Sequence, residues 1–206
     1  MGFNPSLVRR SQGWQETNQC VSRLPTFREA YALRRCIVPV DGFFEWRAIK
    51  GARAKQPYAI AMKDGSPFGL AGLWENWKNS NTGEWERTFA IITAPSNELV
   101  AQIHNRMPAI LERRSYDRWL STEPDPHDLL ITYPSEPMTV WPISTRVNKP
   151  ENDDPSLLER TSEWTEVWAP LGTRIEGARQ AEPFTVVRPQ AHICVLLIGF
   201  VLFPFH

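Results

Sequence analysis

The stretch 36–46, CIVPVDGFFEW, limits what this chain can fold into more than any other. Cys36, Ile37, Val38 and Val40 make a short apolar run, the pattern of a buried strand. Asp41-Gly42 signals a turn, and Phe43-Phe44-Glu45-Trp46 leaves it as a second strand. Alternation along that strand sets Phe43 and Glu45 on one face, Phe44 and Trp46 on the other. A carboxylate among aromatic residues has two readings. On an edge strand Glu45 stands in water. Facing a core, it is costly to ionise without a partner, and burial raises its pKa towards values that suit proton transfer near neutrality.

The flanking sequence predicts a series of short elements. Thr26-x-x-Glu29 has the form of a capping box opening a helix that ends near Arg35. Strands are expected at 57–62, 68–74, 87–93 and 139–143, with turns at 63–67 and 79–83. Ser96 is placed to cap a helix running towards His104, which Met107-Pro108 would end. A second helix is expected over 115–120. Irregularly spaced strands with short helices between them predict an α+β domain of mainly antiparallel strands over 25–159. Residues 1–24 show neither a strand nor a helix period. Residues 160–206 read as an atypical, poorly ordered tail, whose apolar run at 193–203 is too short to cross a bilayer.

Composition excludes several classes. Lys+Arg 23 balances Asp+Glu 23, so no global field steers the chain onto a polyanion. Locally, Arg34, Arg35, Arg47, Lys50, Arg53, Lys55 and Lys63 face only Asp41 and Glu45, which leaves room for an anion-binding surface. Cys20, Cys36 and Cys194 are too scattered for a disulfide framework, and no secretory signal is visible, so a soluble cytoplasmic monomer is expected. The four histidines lack metal-ligand spacing, and no phosphate-cradling glycine loop or GxSxG motif occurs, so no cofactor or metal is expected.

The second informative stretch is Ile103-His104-Asn105-Arg106-Met107-Pro108. A lone histidine is more often structural than catalytic, but a titratable imidazole beside a fixed guanidinium suits phosphate binding together with proton transfer. Together, PTFREAYALRRCIVPVDGFFEW, KQPYAIA, FGLAGLWENW, FAIITAPSNELVAQIHNRMPAIL and VNKPENDDP strongly resemble the SOS response-associated peptidase (SRAP) family, the abasic-site-processing proteins. The resemblance implies a DNA damage-response protein that binds single-stranded DNA and captures abasic sites covalently, with an associated self-processing peptidase activity. It implies that an N-terminal cysteine attacks the sugar aldehyde and closes a thiazolidine. It further implies that Glu45 transfers protons, that His104 assists at the sugar oxygen, and that Trp46, Thr93 and Arg106 lie near DNA.

The ends depart from that pattern. Family members begin Met-Cys-Gly-Arg and carry an Asn-Ala-Arg-x-Glu motif, whereas this sequence begins Met-Gly-Phe-Asn and has QETNQ at 15–19. The expected origin is a truncated or frame-shifted gene product. Cys20, a mid-chain residue, has no α-amine with which to close the ring. Three readings follow: a working SRAP-type enzyme, a non-catalytic remnant that keeps weak single-strand binding, or a Glu–His hydrolase unrelated to DNA.

Overall fold

The computed structural model describes residues 21, 25–79, 82–149, 151–161, 195–196 and 201–202. Expectations for residues 1–20, for Cys194 and for most of the tail therefore lie outside the described residues.

Chain order begins with helix α1 (Pro25–Leu33), then β1 (Arg35–Val40), β2 (Gly42–Arg47), β3 (Gln56–Met62), β4 (Phe68–Lys78) and β5 (Trp85–Ile91). Next come β6 (Thr93–Pro95), β7 (Arg106–Pro108), β8 (Ile110–Leu111), helix α2 (Tyr116–Leu120) and β9 (Met138–Pro142). Two dipeptide strands close the series, β10 (Val195–Leu196) and β11 (Val201–Leu202). The class is α+β with mostly antiparallel pairing, as the pattern predicts. Among the described residues no helix is long and apolar enough to cross a membrane.

The turn at Asp41 does not fold β2 back on β1. Instead β1 joins one sheet, in the order β1-β4-β5-β10 with β8 also on β4, while β2 joins another, β11-β2-β3-β9. Asp41 is thus a corner between two sheets. The reason lies in β4. Small residues let β1 approach it closely, and a Cβ on Gly69 would stand 2.6 Å from Ile37 Cγ2 and 2.7 Å from the Tyr116 hydroxyl. Pro39, which cannot donate to a ladder, is tolerated because β1 is an edge of its sheet.

The layers follow from alternation. One face of the β1-β4-β5 sheet packs Ala71, Leu73, Ala90 and Ile92 against Phe27, Ala30 and Tyr31 of α1 and Trp119 of α2. The other face, with Phe68, Leu70 and Ile91, meets Phe43, Ile60 and Met138 of the second sheet. The far side of that second sheet holds Phe44, Ala59 and Ile143, covered by Trp46, Trp141, Val147 and Leu158. Both faces of β2 are therefore buried, which is why it carries aromatic residues in succession.

Two local expectations are corrected. Helix α1 begins at Pro25, so Thr26 lies inside it, and Glu29 pairs with Arg34 at 3.0 Å instead of closing a capping box. The helix expected after Ser96 is only a 3-10 turn, Val100–Gln102. Asn97, not Ser96, supplies the side-chain acceptor, taking the Val100 N–H on Oδ1 at 3.0 Å.

Candidate functional site

Glu45 settles the choice left open by the sequence: it is 3% exposed. It sits on β2 opposite Tyr58 of β3, on the face it shares with Phe43. Its Oε1 accepts the Trp46 N–H at 3.0 Å, while Oε2 is buried with no hydrogen-bond partner. Burial therefore pushes the carboxyl above its usual pKa; the Trp46 N–H, His104 and Lys55 oppose that shift without cancelling it. A buried carboxyl oxygen without a partner is rare in folded proteins and marks a group kept for something other than stability.

His104 and Arg106 are brought to this region by a small ladder. β6 pairs with β7 in the register Thr93↔Pro108, Ala94↔Met107 and Pro95↔Arg106. Three backbone bonds suspend it from the sheet: Ala71 N–H to Ala109 O (2.8 Å), Ile92 N–H to Ala71 O (2.9 Å) and Ala109 N–H to Ile92 O (2.8 Å). Ser96 then closes the intervening loop, its Oγ donating to His104 O at 2.8 Å and its N–H to Asn105 O at 3.3 Å.

The His104 ring is held through one nitrogen. Neutral Nδ1 can accept the Arg106 N–H at 3.2 Å; protonated Nδ1 can donate to Arg106 O at 3.1 Å. The anchor thus survives either charge state, and Nε2 is the atom left to face a substrate. Arg106 reaches back along the ladder, with Nη2 donating to Thr93 O at 2.6 Å and to Thr93 Oγ1 at 2.9 Å. Its Nε donates to the same hydroxyl at 3.3 Å. Burial lowers the guanidinium pKa, but the group remains cationic.

Trp46 lies on the opposite face of β2 from Glu45. Its ring meets Phe44 edge-on, with centroids 6.4 Å apart, and Nε1 donates to Asn148 Oδ1 at 2.7 Å. The five residues singled out in the sequence thus fall into three groups: Glu45 near His104, Thr93 bound to Arg106, and Trp46 beside Asn148. Sequence reasoning missed Asn148, and it placed Lys55 in the basic cluster without pairing its charge specifically with Glu45.

The basic cluster needs correction. Arg34 is occupied by Glu29 and Glu75, the latter at 2.6 Å, and Arg35 is buried. Only Lys50, Arg53, Lys55 and Lys63 of that cluster are exposed cations. Cys36 is not a reactive thiol, since burial pushes its pKa up to about 11. Among the described residues, no three of His, Cys, Asp and Glu gather closely enough to hold a metal.

The sign of the Glu45 shift makes a prediction. Its folded-state pKa lies above the unfolded value, so the native state binds more protons and stability falls as pH rises through that window. Acidifying from pH 7 towards 5 should therefore raise the urea midpoint of the wild type relative to Glu45→Gln. Parallel midpoints across that range would show that the carboxyl is not perturbed.

Comparison with known proteins gives consistent matches. The family model described as SOS response associated peptidase (SRAP) matches residues 2–150, further towards the N-terminus than the motifs reach. The abasic site processing protein YoqW of Bacillus subtilis is 38% identical over 145 residues, covering 68% of this chain and 64% of that protein. The abasic site processing protein HMCES of Xenopus tropicalis is 32% identical over 168 residues, covering 69% of this chain and 50% of that protein. A Bacteroides thetaiotaomicron protein of known crystal structure is 36% identical with a TM-score of 0.61, over 68% of this chain and 62% of that one. The chain thus spans about half to two thirds of the length of these relatives.

Proposed function

Because this chain belongs to the SOS response associated peptidase family, we propose that it binds single-stranded DNA at abasic sites and acts on the exposed sugar aldehyde. The observation that carries the reading is Glu45: a buried carboxyl with one unpartnered oxygen, close to an imidazole anchored through Nδ1 only. A ring-opened abasic sugar offers an aldehyde to an amine. Their addition gives a carbinolamine, and loss of its hydroxyl as water needs a proton delivered to that oxygen. A carboxyl whose pKa burial raises can donate that proton more readily and, once ionised, take one back. His104 Nε2 is the matching group for the sugar hydroxyl.

Around this chemistry, Arg106 and the exposed cations Lys50, Arg53 and Lys55 offer partners to phosphates, and Trp46 offers a face to a base. Four such phosphate contacts imply a loss of roughly 50-fold in affinity for single strands between 50 and 200 mM salt. Fluorescence anisotropy with an abasic oligonucleotide measures this; affinity indifferent to salt would remove these cations from the binding surface.

Position 2 of this sequence is glycine, where the family pattern has cysteine. An amine without an adjacent β-thiol forms an imine that cannot cyclise to a thiazolidine. The proposed product is therefore a Schiff base that hydrolyses or eliminates unless reduced. In intact-protein mass spectrometry after incubation with abasic single-stranded DNA, the adduct should appear with borohydride and be absent without it. A stable adduct formed without reductant would refute this part of the reading. No adduct under either condition, with binding retained, would favour the non-catalytic alternative.

A further inference from the structure

We propose that the arm formed by β4 and β5 carries a second binding face for single-stranded nucleic acid, apart from the Glu45 region. The proposal rests on the reading above that this chain binds single strands. The two strands outrun their neighbours. Among the described residues, pairing of β1 with β4 ends at Leu73, and β10 pairs with β5 at Phe89 and Ala90. The β4–β5 ladder continues through Asn76↔Arg87 to Lys78↔Trp85.

Cross-strand partners share a face, as do residues two apart. Trp74, Asn76, Lys78, Trp85, Arg87 and Phe89 accordingly lie on one side of the arm. This is the side that, nearer the middle of the sheet, holds Phe68, Leu70 and Ile91 against the core. Beyond the core the described residues leave Asn76, Lys78, Trp85 and Arg87 exposed on that face, yet it does not become simply polar. Trp85 is 70% exposed. The Arg87 guanidinium lies over the Trp74 ring, 4.7 Å from its centroid, and its Nε donates to Asn76 Oδ1 at 3.2 Å. That pairing holds a flat cation against a flat ring. Lys78 stands opposite Trp85. None of the six positions is acidic; Glu75 falls on the other side, where Arg34 engages it at 2.6 Å.

A lysine, an exposed indole and a guanidinium stacked on a second indole suit a polyanion with free planar groups. Single-stranded nucleic acid presents that combination, because its bases are unpaired and stack on aromatic faces in any sequence. Duplex DNA hides those faces, and a purely apolar protein surface would leave both cations unpaired.

The test measures binding of thymidine oligonucleotides of about 5 and about 20 nucleotides, lengths chosen to bracket the usual site sizes. The variants are Trp85→Ala and the double variant Lys78→Glu/Arg87→Glu, whose side chains are exposed, with thermal melting as the check on folding. The 20-mer should bind the wild type more tightly than the 5-mer beyond the statistical gain. Trp85→Ala should lose about tenfold on the 20-mer, and the double variant should lose more and show a weaker salt dependence. Yield of the borohydride-trapped adduct on a short abasic oligonucleotide should be unchanged in both. Wild-type affinity for the 20-mer retained by both variants overturns the arm proposal alone. A wild type that binds neither oligonucleotide overturns the proposed function and the arm with it.

Discussion

Replacing Arg35 with alanine is expected to destabilise the domain by several kcal/mol, because buried carbonyls lose a charged donor. The side chain is only 9% exposed, and its close hydrogen bonds run to backbone oxygens. Its guanidinium instead donates to four close backbone carbonyls: Trp119 O and Tyr31 O at 2.6 Å, Ser121 O at 2.5 Å and Glu123 O at 2.8 Å. It also lies over the rings of Tyr31 and Trp119, at 5.9 and 5.6 Å. One residue at the start of β1 thus joins the end of α1 to the end of α2. Truncation leaves those carbonyls without a donor, each costing about 1–3 kcal/mol before relaxation. Lysine would not rescue the loss, since a compact ammonium cannot serve carbonyls arrayed around a planar fork. Urea denaturation reads the effect directly; a stability change below about 1 kcal/mol would mean that the network contributes little.

Glu45→Gln should have the largest effect on chemistry and an opposite effect on stability. Loss of the proton carrier is expected to slow formation of the trapped adduct by about 10²–10⁴-fold, the usual contribution of a positioned acid or base. Binding of single-stranded DNA should be nearly unchanged, because Glu45 is buried and not a phosphate partner. At neutral pH the variant should also be more stable than the wild type, since the costly ionised form is gone. A residue that destabilises the fold while serving a reaction is a common compromise at active sites. A variant equally fast in single-turnover trapping would remove Glu45 from the mechanism, and one that is slower but also less stable would make its role structural.

The strands were largely legible in the sequence, and their partners were not. Asp41-Gly42 announces a change of direction, but turn chemistry specifies a bend without specifying which strand lies beside which. That choice is made some thirty residues on, where Gly69, Ala71 and Gly72 leave space for β1. The apolar residues either side of Glu45 left its burial open, because Phe43 and Phe44 signal cores on both faces of one strand. The answer depends on the tertiary fold, which brings His104 to Glu45 from far along the chain. Arg35 reads as one more surface cation in a basic run; only the fold gathers four carbonyls around it. Thr93 was reached through the family likeness alone, whereas Arg106 stood out beside His104; their contact arises from the register of β6 and β7. Asn97 carried its own signal, an amide three residues before Val100 at the start of a turn, which the neighbouring serine obscured.

The corner at Asp41 has a consequence for how this chain tolerates insertions and deletions. Side chains alternate along β2 with a period of two, so adding or deleting one residue between Val40 and Phe43 exchanges inside for outside along the whole strand. Phe43 would move into the space of Phe44, and Glu45 would turn towards Ile143 and away from His104. Parity, more than residue identity, is therefore restrained at that point. The exposed loop over 48–55 carries no such condition, and doubling its length would cost only about 0.6 kcal/mol in closure entropy.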